Sequence, residues 1–239
     1  MKKLRHDKHF ALTADIVVFG LDSRDASLDV LLVRRKNDPY KNHLALPGGF
    51  INKNEAIEKA AFRELKEETG IVPSFLEQLF TFGEPGRDPR GRTVTVAYYA
   101  LVRSQEHKVK AGSDASAANW YNARTLLSNL GGIDKLGFDH EDILRMALAR
   151  LESKVRYAPI GFDLLPEEFS IADLHMLYVT ILGRPIDKRN FYKKILAMNV
   201  LERQLGKKRS RDSGRTAAHY RFDQKAYDRL VKSGWNFEV

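Results

Sequence analysis

Gly49-x5-Glu55-x7-Arg63-Glu64-Leu65-Lys66-Glu67-Glu68-Thr69-Gly70-Ile71, directly after Pro47-Gly48, is the stretch that decides the fold. At about 100° per residue, Glu64, Glu67 and Glu68 fall on one face of a helix through i,i+3 and i,i+4 spacing. Like charges so placed repel unless something neutralises them. Ala56, Ile57, Ala60 and Ala61 occupy the same arc, while Lys59 and Lys66 lie opposite and Phe62 stands apart. The acidic stripe thus continues the small apolar stripe that packs inward. A plain solvated face would put these acids on the other side.

Three carboxylates at that spacing suit a hard divalent cation. Mg2+, or Mn2+ with similar preferences, takes one or two carboxylates and completes its shell with substrate phosphates. Arg63 is placed to orient a neighbouring carboxylate. Gly48 and Gly49 give a turn with close backbone approach, whose amides can meet phosphate. Gly70 reads as the helix stop, and Asn54 as its N-cap.

At these residues the chain resembles the Nudix hydrolase superfamily, whose signature G-x5-E-x7-R-E-(aliphatic)-x-E-E-x-G-(aliphatic) is matched at every fixed position. The resemblance implies an α/β fold, an α/β/α sandwich around a mixed sheet, with the signature as loop, helix and loop. It also implies that Glu64, Glu67 and Glu68 ligate metal beside a diphosphate, with Arg63 part of the catalytic set. In catalytic members a water attacks phosphorus, helped by metal and a glutamate base.

The 239 residues accommodate two domains, and 43% hydrophobic content supports a sizeable core. There are no cysteines, which excludes disulfides, thiolate metal sites and cysteine nucleophiles. No apolar run approaches the ~18 residues of a membrane span. The start, Met1 to His9, is charged and lacks a signal-peptide core, so a cytoplasmic protein with no membrane partner is expected. The net charge is +9, and residues 184–221 alone hold 12 bases against 3 acids. Such a local excess points to a polyanionic partner.

Thr13 to Leu21 and Leu28 to Arg35 read as strands around a turn at Asp22 to Asp25. The signature helix follows over 54–69, then strands over 76–83 and 93–102, a strand near 118–121 and a helix over 140–155. Between the middle strands lies Glu84-Pro85-Gly86-Arg87-Asp88-Pro89-Arg90-Gly91-Arg92. Arg87, Arg90 and Arg92 are candidates to face a diphosphate, where a planar fork outperforms lysine; Arg35 is a further candidate. The segment looks like its counterpart in ADP-ribose-specific Nudix proteins. His140 and His175 read as packing or surface residues. Tyr157-Ala158-Pro159-Ile160-Gly161 marks a boundary, giving domains 1–157 and 158–239.

In the second domain Ser170 and Asp173 start a helix that runs to Gly183, and Asp187 caps another. In that second helix Phe191, Ile195 and Met198 form the apolar stripe, leaving Lys188, Arg189, Asn190, Lys193 and Lys194 for an anion. Two helices with a tight turn, the second basic, fit a helix-turn-helix. A strand over 200–206 leads to a basic turn with Lys207, Lys208, Arg209 and Arg211, and Arg215 opens the return strand to Phe222. A cationic hairpin beside such helices is the layout of a winged helix, whose tip follows a phosphate backbone or enters the minor groove.

A Nudix domain followed by a basic winged helix, with Gly214-Arg215-Thr216-Ala217-Ala218-His219-Tyr220-Arg221-Phe222 similar to the wing, resembles the Nudix-related transcriptional regulators of NAD metabolism, the NrtR family. That resemblance implies a homodimeric repressor of NAD-metabolism genes that binds double-stranded DNA and senses ADP-ribose or a related nucleotide sugar. Many members have lost the signature and hydrolysis with it; here it is intact. Two other functions therefore stand beside repression: a Mg2+-dependent ADP-ribose pyrophosphohydrolase with an accessory basic domain, and a regulator sensing another metabolite.

Overall fold

The computed structural model describes residues 10–22, 26–103, 115–129, 135–209 and 216–234. The start of the chain at Met1 to His9 and most of the turn expected at Asp22 to Asp25 lie outside them. By Cα packing the chain divides into two compact units, residues 1–20 with 29–147, and 21–28 with 148–239.

The first unit is built on a mixed sheet. Strands β1 (Ala11–Asp22), β2 (Ser27–Arg35), β3 (Leu44–Ala45), β4 (Gly48–Phe50), β5 (Phe75–Phe82), β6 (Thr93–Val102) and β7 (Ala115–Asn122) join it. The main order is β3-β2-β1-β6-β5, with β4 on β1 and β7 on β2. β1 runs parallel to β6, while β5 is antiparallel to β6 and β7 to β2.

Alternation along the central strands buries both faces of this sheet. Ala14, Ile16 and Val18 of β1 and Val96, Tyr98, Ala100 and Val102 of β6 pack with Ala61 and Leu65 of α1 (Ile57–Thr69). The alternate residues Val17, Phe19, Ala97, Tyr99 and Leu101 are buried as well. Helices α2 (Ala123–Ser128) and α3 (His140–Lys154) follow, the latter crossing the dividing line at residue 148.

Two local expectations are corrected here. Helix α1 starts at Ile57, with Ala56 in extended geometry as its cap and no side-chain cap bond. Asn54 does not cap it, because residues 52–55 close their own turn: Glu55 N donates to Asn52 O at 3.1 Å, and the Glu55 carboxylate accepts from Asn52 N at 3.2 Å. Pro47-Gly48-Gly49 is not a free turn either. Gly48 and Gly49 belong to β4 and pair with Asp15 and Ala14 of β1. The expected stop at Gly70 is present, with φ 77° and its N–H on Lys66 O.

The second unit carries a short 3-10 helix at Pro159–Leu164, then β8 (Phe169–Ser170), α4 (Ile171–Leu182), α5 (Lys188–Ala197), β9 (Leu201–Arg209), β10 (Thr216–Phe222) and α6 (Gln224–Lys232). Ser170 and Asp173 form a complete capping box: Asp173 N donates to Ser170 Oγ at 3.1 Å and Ser170 N to Asp173 Oδ2 at 2.8 Å. Gly183, at φ 62°, ends α4, and the Asp187 carboxylate caps α5 by accepting from Asn190 N at 2.7 Å.

Ile171, Leu174, Leu177, Tyr178 and Ile181 bury one face of α4, and Phe191 and Ile195 that of α5. Tyr178 meets Phe191 edge-on at 5.1 Å, and Phe162 stacks on Phe222 at 4.3 Å. The sheet order is β8-β10-β9, all antiparallel. Lys207, Lys208 and Arg209 lie in β9, opposite Ala218, Ala217 and Thr216, and so are strand rather than turn. Cross-strand pairing overrides the weak strand propensity of lysine there. Among the described residues no helix is long and apolar enough to cross a membrane.

Candidate functional site: a cleft over the signature helix and a basic helix face

The first unit holds a cleft of about 380 Å³ lined by residues of β1, β2, β4, α1 and the 83–92 loop, with Phe138 and His140. That is within the roughly 300–1,000 Å³ range of small-molecule sites. Glu64, Glu68 and Arg63 line it along one side, and Arg35, Arg87 and Arg90 line it elsewhere.

Arg63 organises the acids. Its Nε and Nη2 donate to Glu55 Oε1 and Oε2, both at 2.8 Å, and its Nη1 donates to Glu64 Oε1 at 2.7 Å and to Glu67 Oε2 at 3.3 Å. Nη2 also holds Phe50 O at 3.1 Å. The bound guanidinium keeps the Glu55 carboxyl down at about 2. Glu64 differs: burial pushes its carboxyl up from the usual value, against the pull of Arg63. A desolvated carboxylate of this kind gains from a cation beside it.

Glu68 accepts from the Gly48 amide at 3.0 Å. That amide is therefore engaged with a carboxylate rather than open to phosphate. Gly49 has another purpose: a Cβ there would stand 2.5 Å from Glu64 Cδ, so the missing side chain is what lets this carboxylate lie against β4.

The three glutamates are not equivalent. Glu64 and Glu68 line the cleft, whereas Glu67 is outside the lining and its side chain is 60% exposed. The buried face of α1 is centred on Ala61, Leu65 and Thr69, and Glu67 lies furthest round from it. Among the described residues no cluster of three or more His, Asp or Glu side chains forms a ready cation cage. Two carboxylates are nonetheless the number that Mg2+ takes when phosphates supply further oxygens, so the donor set fits a divalent ion held jointly with a diphosphate.

The arginines separate by what already holds them. Arg87 is buried at the cleft floor, its Nε and Nη2 on Asp139 at 2.8 and 2.6 Å and Nη2 also on Asp15 at 3.2 Å. Burial opposes its charge, yet the two carboxylates keep it protonated above the ordinary arginine value. Arg90 is matched by Asp88, with Nη2 to Oδ2 at 2.7 Å. Arg35 donates from Nε to Pro39 O at 2.9 Å and its guanidinium lies 4.8 Å from the Phe138 ring. Arg92 is not among the lining residues; it holds Gly83 O and covers the Phe10 ring.

Several lining residues had no place among the sequence candidates: Asp15, Thr13, Asp88, Phe50 and Phe138. His140, read as packing, is indeed buried, but it also lines the cleft. Its Nδ1 accepts from Leu46 N at 2.9 Å, and burial lowers its pKa from the usual histidine value. The Thr13 hydroxyl, in a residue only 7% exposed, has no hydrogen-bond partner among the described residues. His175 is a packing residue as expected, with Nε2 2.9 Å from Ile186 O and its ring against Phe191.

In the second unit, helix α5 exposes Lys188, Arg189, Asn190, Lys193 and Lys194 while Phe191, Ile195 and Met198 turn inward. The side chains of Lys207, Lys208 and Arg209, and the whole of Arg211 and Arg215, lie outside the described residues.

The NUDIX domain model matches residues 9–145, and the model of the NrtR DNA-binding winged helix domain matches residues 161–222. A curated relative, the ADPR responsive transcriptional repressor NtrR of Acinetobacter baylyi, is 34% identical over 220 residues, 91% of this chain and 84% of that protein. The chain belongs to the NrtR family. Shewanella oneidensis NrtR complexed with a 27mer DNA superposes with a TM-score of 0.77 at 32% identity, covering 95% of this chain and 97% of that one. Its NUDIX domain, cocrystallised with ADP ribose, matches at 37% identity and a TM-score of 0.54 over 60% of this chain and 90% of that domain. The Nudix half of this NrtR-family chain is also 38% identical over 145 residues to the ADP-ribose pyrophosphatase of Methanocaldococcus jannaschii, covering 61% of this chain and 77% of that enzyme. The winged helix and the mixed-sheet Nudix fold are thus as the sequence led one to expect, and Nudix hydrolases in general use divalent metal ions.

Proposed function

We propose that this chain is a cytoplasmic, homodimeric repressor of NAD-metabolism genes that binds double-stranded DNA through its winged helix and senses ADP-ribose in its Nudix cleft. The observation that carries this reading is one chain holding both a cleft with paired glutamates and a helix-turn-helix whose second helix exposes Lys188, Arg189, Asn190, Lys193 and Lys194. The solved NrtR complexes with DNA and with ADP ribose support both ligands. In a dimer two copies of α5 would meet half-sites about one helical turn apart. ADP-ribose would favour a dimer geometry that mis-spaces them, acting only through its difference in affinity between the two geometries. A mobility shift with promoter fragments tests this: the complex forms in dilute buffer and dissolves on adding ADP-ribose. No shift even at low salt rejects repression, and no calorimetric heat with ADP-ribose points to a regulator sensing another metabolite.

A second reading, an ADP-ribose pyrophosphohydrolase, is favoured by the intact signature and by the Methanocaldococcus jannaschii relative. Glu64 and Glu68, with Glu67 at the margin, would hold Mg2+ or Mn2+; the bound ion would polarise the phosphoryl group and acidify a water. Arg63 would keep the Glu64 carboxylate in place, and a glutamate would take the proton of the attacking water. The new P–O bond forms as the diphosphate bridge breaks, leaving AMP and ribose 5-phosphate. Turnover of ADP-ribose with Mg2+ that disappears in Glu68→Gln supports this activity; absent turnover rejects it.

A further inference from the structure

We propose that Phe50 is the stacking platform for the nucleobase of the ligand, with the flat guanidinium of Arg90 as its companion surface; the assignment rests on the nucleotide-ligand reading above. Phe50 is 50% exposed although it follows Gly49 in β4 and lines the cleft. A large apolar ring left half in water beside a polar cleft is a place to bind something flat. Its backbone is fixed by the Arg63 bond to Phe50 O at 3.1 Å, and the adjoining Gly49 abuts the Glu64 carboxylate. A base on Phe50 would therefore place its attached phosphates toward Glu64 and Glu68.

Arg90 lies 5.4 Å from the Phe50 ring and 5.6 Å from that of Phe138. Its charge is answered by Asp88, whose oxygens accept from Nε at 3.0 and 3.2 Å and from Nη2 at 2.7 Å. What Arg90 offers a ligand is its planar face, a surface on which bases stack. Asp88 fixes that plane, and Phe138 lies beside it: Phe138 holds φ 58°, a region bulky residues avoid, and its ring is crowded by Tyr40 at 4.8 Å and Arg35 at 4.8 Å. With Phe138 so enclosed, Phe50 is the ring with a face to give.

Calorimetry on the full chain tests the assignment. Base stacking contributes about 1–3 kcal/mol, so Phe50→Leu is expected to lose roughly 5- to 150-fold in affinity for ADP-ribose, while Phe50→Tyr stays within about threefold. Wild-type affinity in Phe50→Leu overturns the platform, as does a Phe50→Tyr loss equal to that of the leucine variant. A wild-type chain that ignores ADP-ribose sinks the ligand reading instead. Phe50→Trp then decides the platform separately: quenching of its emission by AMP, beyond any change in the parent chain, upholds it, and unchanged emission overturns it.

Discussion

Arg63 grips Glu55 from eight residues away by a two-pronged ion pair, Nε to Oε1 and Nη2 to Oε2, both at 2.8 Å. The same guanidinium reaches Glu64, so one cation relieves the repulsion that the signature spacing creates. Glu55 titrates at about 2 instead of 4.5 because of this bond. Its carboxylate thus stabilises the fold fully above about 4.5, and that contribution is lost as pH falls toward about 2. Melting temperatures measured from pH 2 to 6 should fall less steeply at the acid end in Glu55→Gln than in the parent. Parallel curves would refute the pairing.

Gly49→Ala tests the closest approach in the cleft. Its Cβ would sit 2.5–2.6 Å from the Glu64 carboxylate, which Arg63 holds at 2.7 Å. One of the two must move. A destabilisation of about 1–3 kcal/mol is expected in urea unfolding, typical of overpacking. ADP-ribose affinity should drop with it; an unchanged unfolding midpoint would show that Glu64 has room to yield.

Arg87 carries the heaviest electrostatic demand, with its side chain 4% exposed between Asp15 at 10% and Asp139 at 18%. Arg87→Met would leave two carboxylates facing each other in the cleft floor without a counter-charge. Removing one partner of such a buried set costs about 3–5 kcal/mol. Denaturant unfolding at pH 7 should show that loss as a lowered midpoint. A loss below about 1 kcal/mol, well short of that cost, would mean that water replaces the guanidinium.

What the sequence exposed and what it hid follow from the range of the interactions. The signature helix, the Ser170 and Asp187 caps and the Gly70 and Gly183 stops are local, and the structure places each of them as spaced. The floor of the cleft is not local. Asp15 lies in a run that otherwise reads as buried strand, and its partner Arg87 is 72 residues away. A lone carboxylate in Thr13 to Leu21 was the available signal, since a charge within an apolar strand needs a partner. Strands of two or three residues such as β3 and β4 leave no periodicity to read. Asn54 is a good cap by type but loses the helix start to the turn that Glu55 makes with Asn52. Helix α6 was missed although Asp223, its N-cap, offered the usual mark: its carboxylate accepts from Ala226 N at 2.9 Å.

The basic face of α5 yields the sharpest test of DNA binding. Arg189 and Lys193 are exposed one turn apart, on the side away from buried Phe191 and Ile195. If both meet phosphates, each releases about one counterion, so the double variant Arg189→Ala/Lys193→Ala should flatten the slope of log affinity against log salt by about 2. Affinity should fall across unrelated sequences as well as on the operator, because phosphate contacts carry no base information. If either side chain reads a base instead, the loss concentrates on the operator and the salt slope changes less. ADP-ribose affinity should stay at the parent value, because neither residue lines the cleft. Equal loss of both ligands would instead identify a folding defect, and an unchanged DNA affinity would remove α5 from the interface.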